Sequence, residues 1–265
     1  MEPFSAPIGM FDSGLGGLSV LREVRALMPN EDIVYVADSA WCPYGVRPDS
    51  EIRARSIAVA NSIVAARAKL LIVACNTATS VALVALRARM PIPVVGLVPA
   101  VKPAAGQSRN GRIGVLATPR TVAGERLEAL IREFANDVEV HLQAAPGLAD
   151  LVESGQFSGP LVDGAVATFV RPLTRHGVDT IVLGCTHYPF LREPIRKAAG
   201  PDVAIIDSGA AVALRTQALL RASGQLRSDS HPGTVSLLTS GEPNVVGATA
   251  SRLLGERLDV RTLGI

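Results

Sequence analysis

The chain contains 265 residues, of which 48% are hydrophobic and only 4% aromatic, so its core must consist mainly of Ala, Val, Leu and Ile. Such a composition favours buried parallel strands covered by helices. The net charge is +2 and the positive residues, nearly all arginine, are scattered along the chain, which argues against a nucleic-acid-binding protein and against a polybasic membrane patch.

Short apolar runs alternate with longer amphipathic segments along the chain, which is typical of βα units. Helices are predicted over residues 17–28, 49–67 and 121–134. In the first of them, Leu18, Leu21 and Val24 fall on one face. Strands are predicted, in chain order, at residues 8–11, 33–37, 70–74, 94–97, 113–117, 138–142, 180–184, 203–206 and 235–239. We therefore predict an α/β fold with doubly wound, mainly parallel sheets.

An internal repeat indicates two related halves. Residues 7–13 (PIGMFDS) resemble residues 112–118 (RIGVLAT), and two strands that end in cysteine recur at nearly the same interval. Chance similarity is the alternative, since short strands followed by small residues are common. A proline-rich stretch at residues 91–99 and a return near residues 207–209 are the expected crossings. We predict one domain of residues 1–97 with 208–265, a second of residues 98–207, and an active site in the cleft between them.

Two cysteines occupy matching places at predicted strand ends. Cys75 closes the run LIVAC and Cys185 closes the run IVLGC, and each precedes a turn that contains threonine. Ligands of open α/β sheets bind beyond the carboxyl ends of the strands. A helix start after each cysteine would favour the thiolate. Two thiols facing one carbon can remove a proton from one side and return one to the other, which is the chemistry of a racemase.

Polar residues near these strand ends offer donors for a substrate carboxylate without a metal. They are Ser13, Ser39, Asn76, Thr77 and Thr186. The alternative for such residues is helix capping, which we favour for Thr79 and Ser80 and which applies equally to Asp12. His187 either tunes Cys185 or its partner, or satisfies a backbone carbonyl.

Several other functions fit the sequence less well. The glycine-rich residues 14–17 lack the spacing of a dinucleotide-binding turn, and no P-loop lysine follows them. A cysteine hydrolase would pair Cys185 with His187, but residues so close at a strand end seldom point together, and Cys75 would be idle. A zinc site of Cys75, Cys185 and His187 would quench both thiols.

Localisation follows from the cysteines and from hydropathy. Three cysteines in a chain of this length argue against a disulfide framework and for reduced thiols, with Cys42 outside the matched pair. No apolar run is long enough to span a bilayer, and the first fifteen residues lack the features of an export signal. We therefore expect a cytoplasmic protein without a membrane partner.

Four motifs together resemble those of bacterial glutamate racemases, in the cofactor-independent aspartate/glutamate racemase superfamily. They are residues 11–17 (FDSGLGG), 43–45 (PYG), 75–78 (CNTA) and 184–189 (GCTHYP), supported by residues 151–153 (LVE) and 206–208 (IDS). The resemblance covers essentially the whole chain. It implies two pseudo-symmetric domains, the first completed by the C-terminal segment, that bind glutamate without a cofactor or metal and supply D-glutamate for peptidoglycan. It also implies a homodimer.

The resemblance assigns roles to individual residues. Cys75 would deprotonate D-glutamate and Cys185 would deprotonate L-glutamate, each acting as the acid in the other direction. Substrate binding or assistance to the thiols would fall to Asp12, Ser13, Tyr44, Gly45, Asn76, Thr77, Thr186 and His187. Asp38 and Glu153 match acidic positions that are thought to help.

One departure from the pattern lies just before the PYG motif. Glutamate racemases usually have an arginine there, whereas this chain has Trp41 and Cys42. A salt bridge or dimer contact that this arginine makes in other glutamate racemases is therefore not expected in this chain, whereas the two-thiol chemistry is. Aspartate racemase is the nearer rival within the superfamily, and the FDSGLGG and PYG motifs favour glutamate.

Overall fold

The computed structural model describes residues 5–228, 230 and 232–264. In that part of the chain, the strands are β1 (Ile8–Asp12), β2 (Ile33–Ala37), β3 (Leu70–Val73), β4 (Val94–Gly96), β5 (Arg112–Ala117), β6 (Glu139–Ala144), β7 (Thr180–Gly184), β8 (Ala204–Ile206), β9 (Val235–Thr239) and β10 (Val260–Thr262). The helices are α1 (Leu18–Leu27), α2 (Asp49–Ala65), α3 (Asn76–Arg89), α4 (Val101–Gln107), α5 (Pro119–Val122), α6 (Glu125–Phe134), α7 (Leu148–Glu153), α8 (Pro160–Arg175), α9 (Arg192–Ala199), α10 (Gly209–Ala222) and α11 (Pro243–Leu254). None of these helices combines the length and hydropathy needed to cross a bilayer.

The chain separates into two compact units. The first comprises the residues up to Leu97 and those from Gly209 onward, and the second is Val98–Ser208. Each unit contains one sheet whose paired strands all run parallel. The predicted α/β class with parallel sheets is therefore confirmed.

The sheet of the first unit has the strand order β10-β9-β2-β1-β3-β4. In the register of its central strands, Ile8 of β1 lies opposite both Ile33 of β2 and Leu70 of β3. The carboxyl ends of β1, β2 and β3 therefore lie side by side. Fully buried side chains such as Phe11 and Val73 belong to the apolar core beside this sheet, which stabilises the carboxyl ends of these strands.

The sheet of the second unit has the order β6-β5-β7-β8. Ile113 of β5 pairs with Thr180 of β7, so these central strands also end together. Ile113 and Val182 belong to an apolar cluster that includes Leu127 of α6. This core holds the end of β7 in place.

The prediction differs from the structure at one helix and one strand. The helix predicted over residues 121–134 is two helices, α5 and α6, because Gly124 between them adopts an extended conformation at the start of α6. Strand β10 was not predicted; it is a three-residue edge strand whose Arg261 and Thr262 are exposed, so it lacks a hydrophobic pattern. The other predicted strands and helices agree with the structure to within about two residues, the usual uncertainty of element ends.

Candidate active site

Cys75 follows strand β3 and caps the N-terminus of α3. The apolar run 70–74 is buried in the sheet, and the polar residues after Cys75 begin the helix. The Cys75 sulfur accepts a hydrogen bond from the backbone N–H of Ala78 at 3.5 Å and lies 3.7 Å from the Ser13 hydroxyl oxygen. Only 5% of Cys75 is exposed. The thiol is therefore held at the end of the strand, as the sequence predicted.

Asp12, at the end of β1, is the acidic group next to this thiol. It is fully buried, and its carboxylate accepts hydrogen bonds from the backbone N–H groups of Ser13 at 2.6 Å and Gly17 at 2.5 Å. The Ser13 hydroxyl also donates to Asp12, at 3.2 Å. Asp12 thus anchors the turn before α1 and at the same time orients the hydroxyl that faces Cys75.

The surroundings of Cys75 stabilise its protonated form. Burial raises the pKa of the thiol well above its ordinary value, and the negative charge of Asp12 raises it further. The hydrogen bond from the Ala78 N–H and the hydrogen bond with the Ser13 hydroxyl lower the pKa, but their effects are smaller. The start of α3 favours the thiolate, as expected for a helix N-terminus, but burial and Asp12 outweigh this effect.

Asp38 and Tyr44 form a second polar group at this edge of the sheet. The Tyr44 hydroxyl donates to Asp38 at 2.6 Å, and both residues are buried. Arg55, which the sequence analysis did not identify, donates to both oxygens of the Asp38 carboxylate at 2.8 Å. Gly45 is half-buried, and the space beside its Cα is open.

The first turn of α3 contributes two buried polar side chains, Asn76 and Thr77. Thr79 follows two residues later in the same helix. Its hydroxyl donates to the Val73 carbonyl and accepts from the Leu97 N–H. Thr79 therefore has a structural role, but it connects β3 with the residue after β4 and does not cap the helix, whose N-cap is Cys75. Asn76 and Thr77 lie where the chain turns from strand to helix.

In the second unit, Cys185 follows strand β7 and lies next to a histidine and a carboxylate. The Cys185 sulfur is 3.6 Å from Nδ1 of His187, and Nε2 of His187 is 2.5 Å from Oε1 of Glu153 at the end of α7. Cys185 and His187 are buried, as is Thr186 between them. The expectation that Cys185 and His187 would point apart is wrong, because the backbone after β7 turns directly into a 3-10 helix at Tyr188–Leu191.

The protonation of His187 depends on its two partners. Burial alone would lower its pKa, but the hydrogen bonds to Cys185 and Glu153 raise it well above 6.5. A protonated histidine between a sulfur and a carboxylate can donate a hydrogen bond to each of them. This arrangement has the nucleophile–base–carboxylate order of a cysteine hydrolase as well, so geometry within this unit alone allows both chemistries.

Tyr188 is a further buried residue that the sequence analysis did not single out. Its hydroxyl donates to the Ala145 carbonyl at 2.9 Å. Burial raises its pKa well above the ordinary value, and charge on Cys185 raises it further, so its hydroxyl remains neutral. Its hydrogen bond connects the turn after β7 with the residue that follows β6.

Comparison with known proteins decides between the chemistries. The model of the Asp/Glu/hydantoin racemase family matches residues 18–216. The chain belongs to this family. A curated glutamate racemase of Herpetosiphon aurantiacus is 52% identical over 237 residues, which are 89% of this racemase and 93% of that protein. The resemblance found in the sequence is thus confirmed, and the protein is an isomerase of the amino-acid racemase class.

Solved structures agree with this assignment. The crystal structure of glutamate racemase isoform RacE1 from Bacillus anthracis has a TM-score of 0.89 and 33% identity, covering 98% of each chain. Escherichia coli glutamate racemase, solved with L-glutamate and the activator UDP-MurNAc-ala, has a TM-score of 0.85 and 33% identity, covering 98% of this racemase and 100% of that chain. The fold and the family assignment therefore extend over nearly the whole chain.

Proposed function

We propose that this racemase interconverts L- and D-glutamate by a two-base mechanism in which Cys75 and Cys185 act on opposite faces of the α-carbon. The observation that carries the proposal is that each unit holds a buried cysteine at the carboxyl end of a central strand, with a carboxylate in its polar surroundings. A hydrolase would leave Cys75 and its ordered neighbours without a task.

In the direction from L- to D-glutamate, Cys185 acts as the base and Cys75 as the acid. The Cys185 sulfur, which lies 3.6 Å from Nδ1 of His187, accepts the α-proton, and the electron pair of the broken C–H bond stays on the α-carbon. The Cys75 thiol, whose pKa is raised by burial and by Asp12, donates its proton to the opposite face. In the reverse direction each cysteine takes the other role, after both have exchanged protons with solvent.

Substrate recognition would rely mainly on uncharged donors. Since the Tyr44 hydroxyl donates its only proton to Asp38, Tyr44 and Gly45 are proposed to bind a carboxylate through backbone N–H groups. The remaining polar groups proposed for binding or for assisting the thiols are Asp12, Ser13, Asn76, Thr77, Thr186 and His187. Glu153 would act through His187, to which it is hydrogen bonded.

The wider biological role rests on the resemblance alone. We propose that the enzyme works in the cytoplasm as a homodimer, without a cofactor or metal, and that its D-glutamate is used in peptidoglycan synthesis.

Circular dichroism of L-glutamate incubated with EDTA-treated protein tests the proposal. The signal should decay to zero, while the signal of L-aspartate should persist. Cys75→Ser and Cys185→Ser should each abolish the decay, because a hydroxyl of much higher pKa cannot replace the thiol as base. An unchanged L-glutamate signal, or normal racemisation by Cys75→Ser, would refute the proposal.

A further inference from the structure

Arg55 of α2 forms a two-point ion pair with a fully buried carboxylate. Its Nε donates to Oδ2 of Asp38 and its Nη2 donates to Oδ1, both at 2.8 Å. The side chain of Arg55 is 12% exposed and that of Asp38 is 0% exposed. Parallel hydrogen bonds of this kind fix orientation as well as charge, and a buried carboxylate without such a partner would be strongly destabilised.

Each oxygen of Asp38 also accepts a second hydrogen bond. The Tyr44 hydroxyl donates to Oδ2 at 2.6 Å, and the Ser240 hydroxyl donates to Oδ1 at 2.7 Å. Four donors therefore surround a carboxylate that has no contact with solvent. Such a group has no free position from which to carry a proton or bind a substrate. Its contribution to the reaction must pass through the residues that it orients.

Tyr44 connects this carboxylate to the thiol of the first unit. It belongs to the same buried cluster as Cys75, and it lies close enough for a charge on Cys75 to act on its hydroxyl. Arg55 additionally places its guanidinium over the ring of Trp41, 5.2 Å from the centroid, within the loop that leads to Tyr44. One arginine thus holds both the carboxylate and the loop.

We infer that Arg55 is a positioning residue for the Cys75 half of the reaction, because its paired hydrogen bonds to Asp38 fix Tyr44 beside the thiol. The inference rests on the proposed two-thiol function. Without Arg55, buried Asp38 would take up a proton or draw in water, and Tyr44 would lose the fixed acceptor that determines its position.

Racemisation rates alone cannot assign an effect to one thiol. L- and D-glutamate have equal free energies, so kcat/KM must be equal in the two directions for every variant. Elimination from 3-chloroglutamate avoids this constraint because it needs a single base: the base removes the α-proton, the electron pair forms the Cα–Cβ double bond, and chloride leaves. The enamine then tautomerises and is hydrolysed by water to 2-oxoglutarate and ammonium, which can be measured.

The test compares the analogues of D and L configuration at the α-carbon in Arg55→Met. Elimination from the D analogue, which requires Cys75, should fall about tenfold or more, whereas elimination from the L analogue should stay within about twofold. Arg55→Lys retains the charge but cannot donate to both oxygens in parallel, so it should show a smaller loss with the same preference. Arg53→Met, an exposed arginine of the same helix, is the matched control and should behave as wild type.

Equal losses for both analogues, in Arg55→Met or in Arg55→Lys, would overturn the inference, since a general loss of folding affects both thiols. Unchanged elimination in both variants would overturn it as well. Racemisation of L-glutamate by the wild-type protein is measured in parallel. Its absence would refute the proposed function itself, whereas normal wild-type racemisation with unaltered Arg55 variants would refute only the role of Arg55.

Discussion

Cys75 and Cys185 occupy equivalent positions after central strands, but their nearest polar groups differ. Cys75 has a serine hydroxyl and a backbone N–H as partners, with the Asp12 carboxylate behind them. Cys185 has a histidine whose other nitrogen contacts a carboxylate. A carboxylate therefore raises the pKa of the thiol itself in one unit and the pKa of the histidine beside the thiol in the other. Two equivalent sequence positions thus have different polar surroundings.

The raised pKa of His187 predicts a stability that depends on pH. A histidine whose pKa is higher in the folded state contributes its full stabilisation below the unfolded value of 6.5, and this contribution is lost as the pH rises through the folded value. Glu153→Gln keeps the hydrogen-bond acceptor but removes its charge. We expect the variant to be less stable than wild type at about pH 6, by roughly 1.4 kcal/mol for each unit by which the pKa of His187 falls, and the difference to shrink as the pH rises through the folded-state pKa of His187.

Urea unfolding of Glu153→Gln and wild type across this pH range measures the difference. Glu128→Gln, which removes an exposed ion pair with Arg132 on α6, is the control and should change stability little at any pH. A stability difference that grows as the pH rises above 6.5 would contradict the raised pKa of His187.

Sequence identified the groups that we propose to carry the chemistry but not those that hold them. Both cysteines, Asp12, His187 and Glu153 belong to motifs whose residue types indicate the proposed function. Arg55 does not, because an arginine in an amphipathic helix resembles any surface residue until the fold places it against Asp38. The close approach of Cys185 and His187 was also missed, since it depends on the turn that the backbone makes after β7.

At the scale of single elements, the turn between β1 and α1 depends on space at Gly17. Gly17 has an ordinary helical φ of −61°, so it is not required for an unusual backbone conformation. A Cβ there would lie 2.7 Å from the Tyr35 hydroxyl oxygen and 2.9 Å from Cβ of Asp12. The glycine-rich motif therefore allows the turn to pack against the strand ends that carry Asp12.

Gly17→Ala should destabilise the protein by about 1–3 kcal/mol, the usual cost of overpacking, and should lower racemisation because Asp12 is displaced. Gly164→Ala is the matched control. Gly164 lies on the exposed face of α8 with no atom within 4 Å of an added Cβ, so its replacement should stabilise the protein by about 0.5–1 kcal/mol. Urea midpoints and circular dichroism assays measure both effects. Equal behaviour of the two alanine variants would show that Gly17 is not crowded.

The hydrophobic pattern was sufficient to predict the buried strands, but it was insufficient to predict the edge strand and the break between two helices. The runs at β1, β3 and β7 are apolar because both faces of the sheet are covered at these central strands, so sequence alone located them. The edge strand β10 and the break at Gly124 between α5 and α6 have no such pattern. Strand β10 forms because the backbone of β9 offers hydrogen bonds, and the helix break forms because Gly124 adopts an extended conformation.

At the scale of the whole molecule, a buried ion pair links the two chain segments that make up the first unit. Lys69, just before β3, lies 2.5 Å from Glu31, just before β2, and each side chain is 1% exposed. Lys69 also donates to the Gln225 carbonyl at 2.9 Å, and Glu31 accepts from the Arg227 N–H at 2.8 Å. Breaking such a pair typically costs about 3–5 kcal/mol. The pair therefore helps the segment after α10 return to the sheet that it completes with β9.

The central claim is that two different thiols exchange the α-proton, one from each unit, and racemisation in D2O tests it most directly. Each thiol exchanges with solvent before a turnover, so the acid that completes the reaction delivers deuterium while the base removes protium. Starting from L-glutamate, mass spectrometry at low conversion should find D-glutamate deuterated at the α-carbon and the remaining L-glutamate still protiated. Deuterium entering L-glutamate as fast as D-glutamate forms, or D-glutamate that retains its α-protium, would contradict the account.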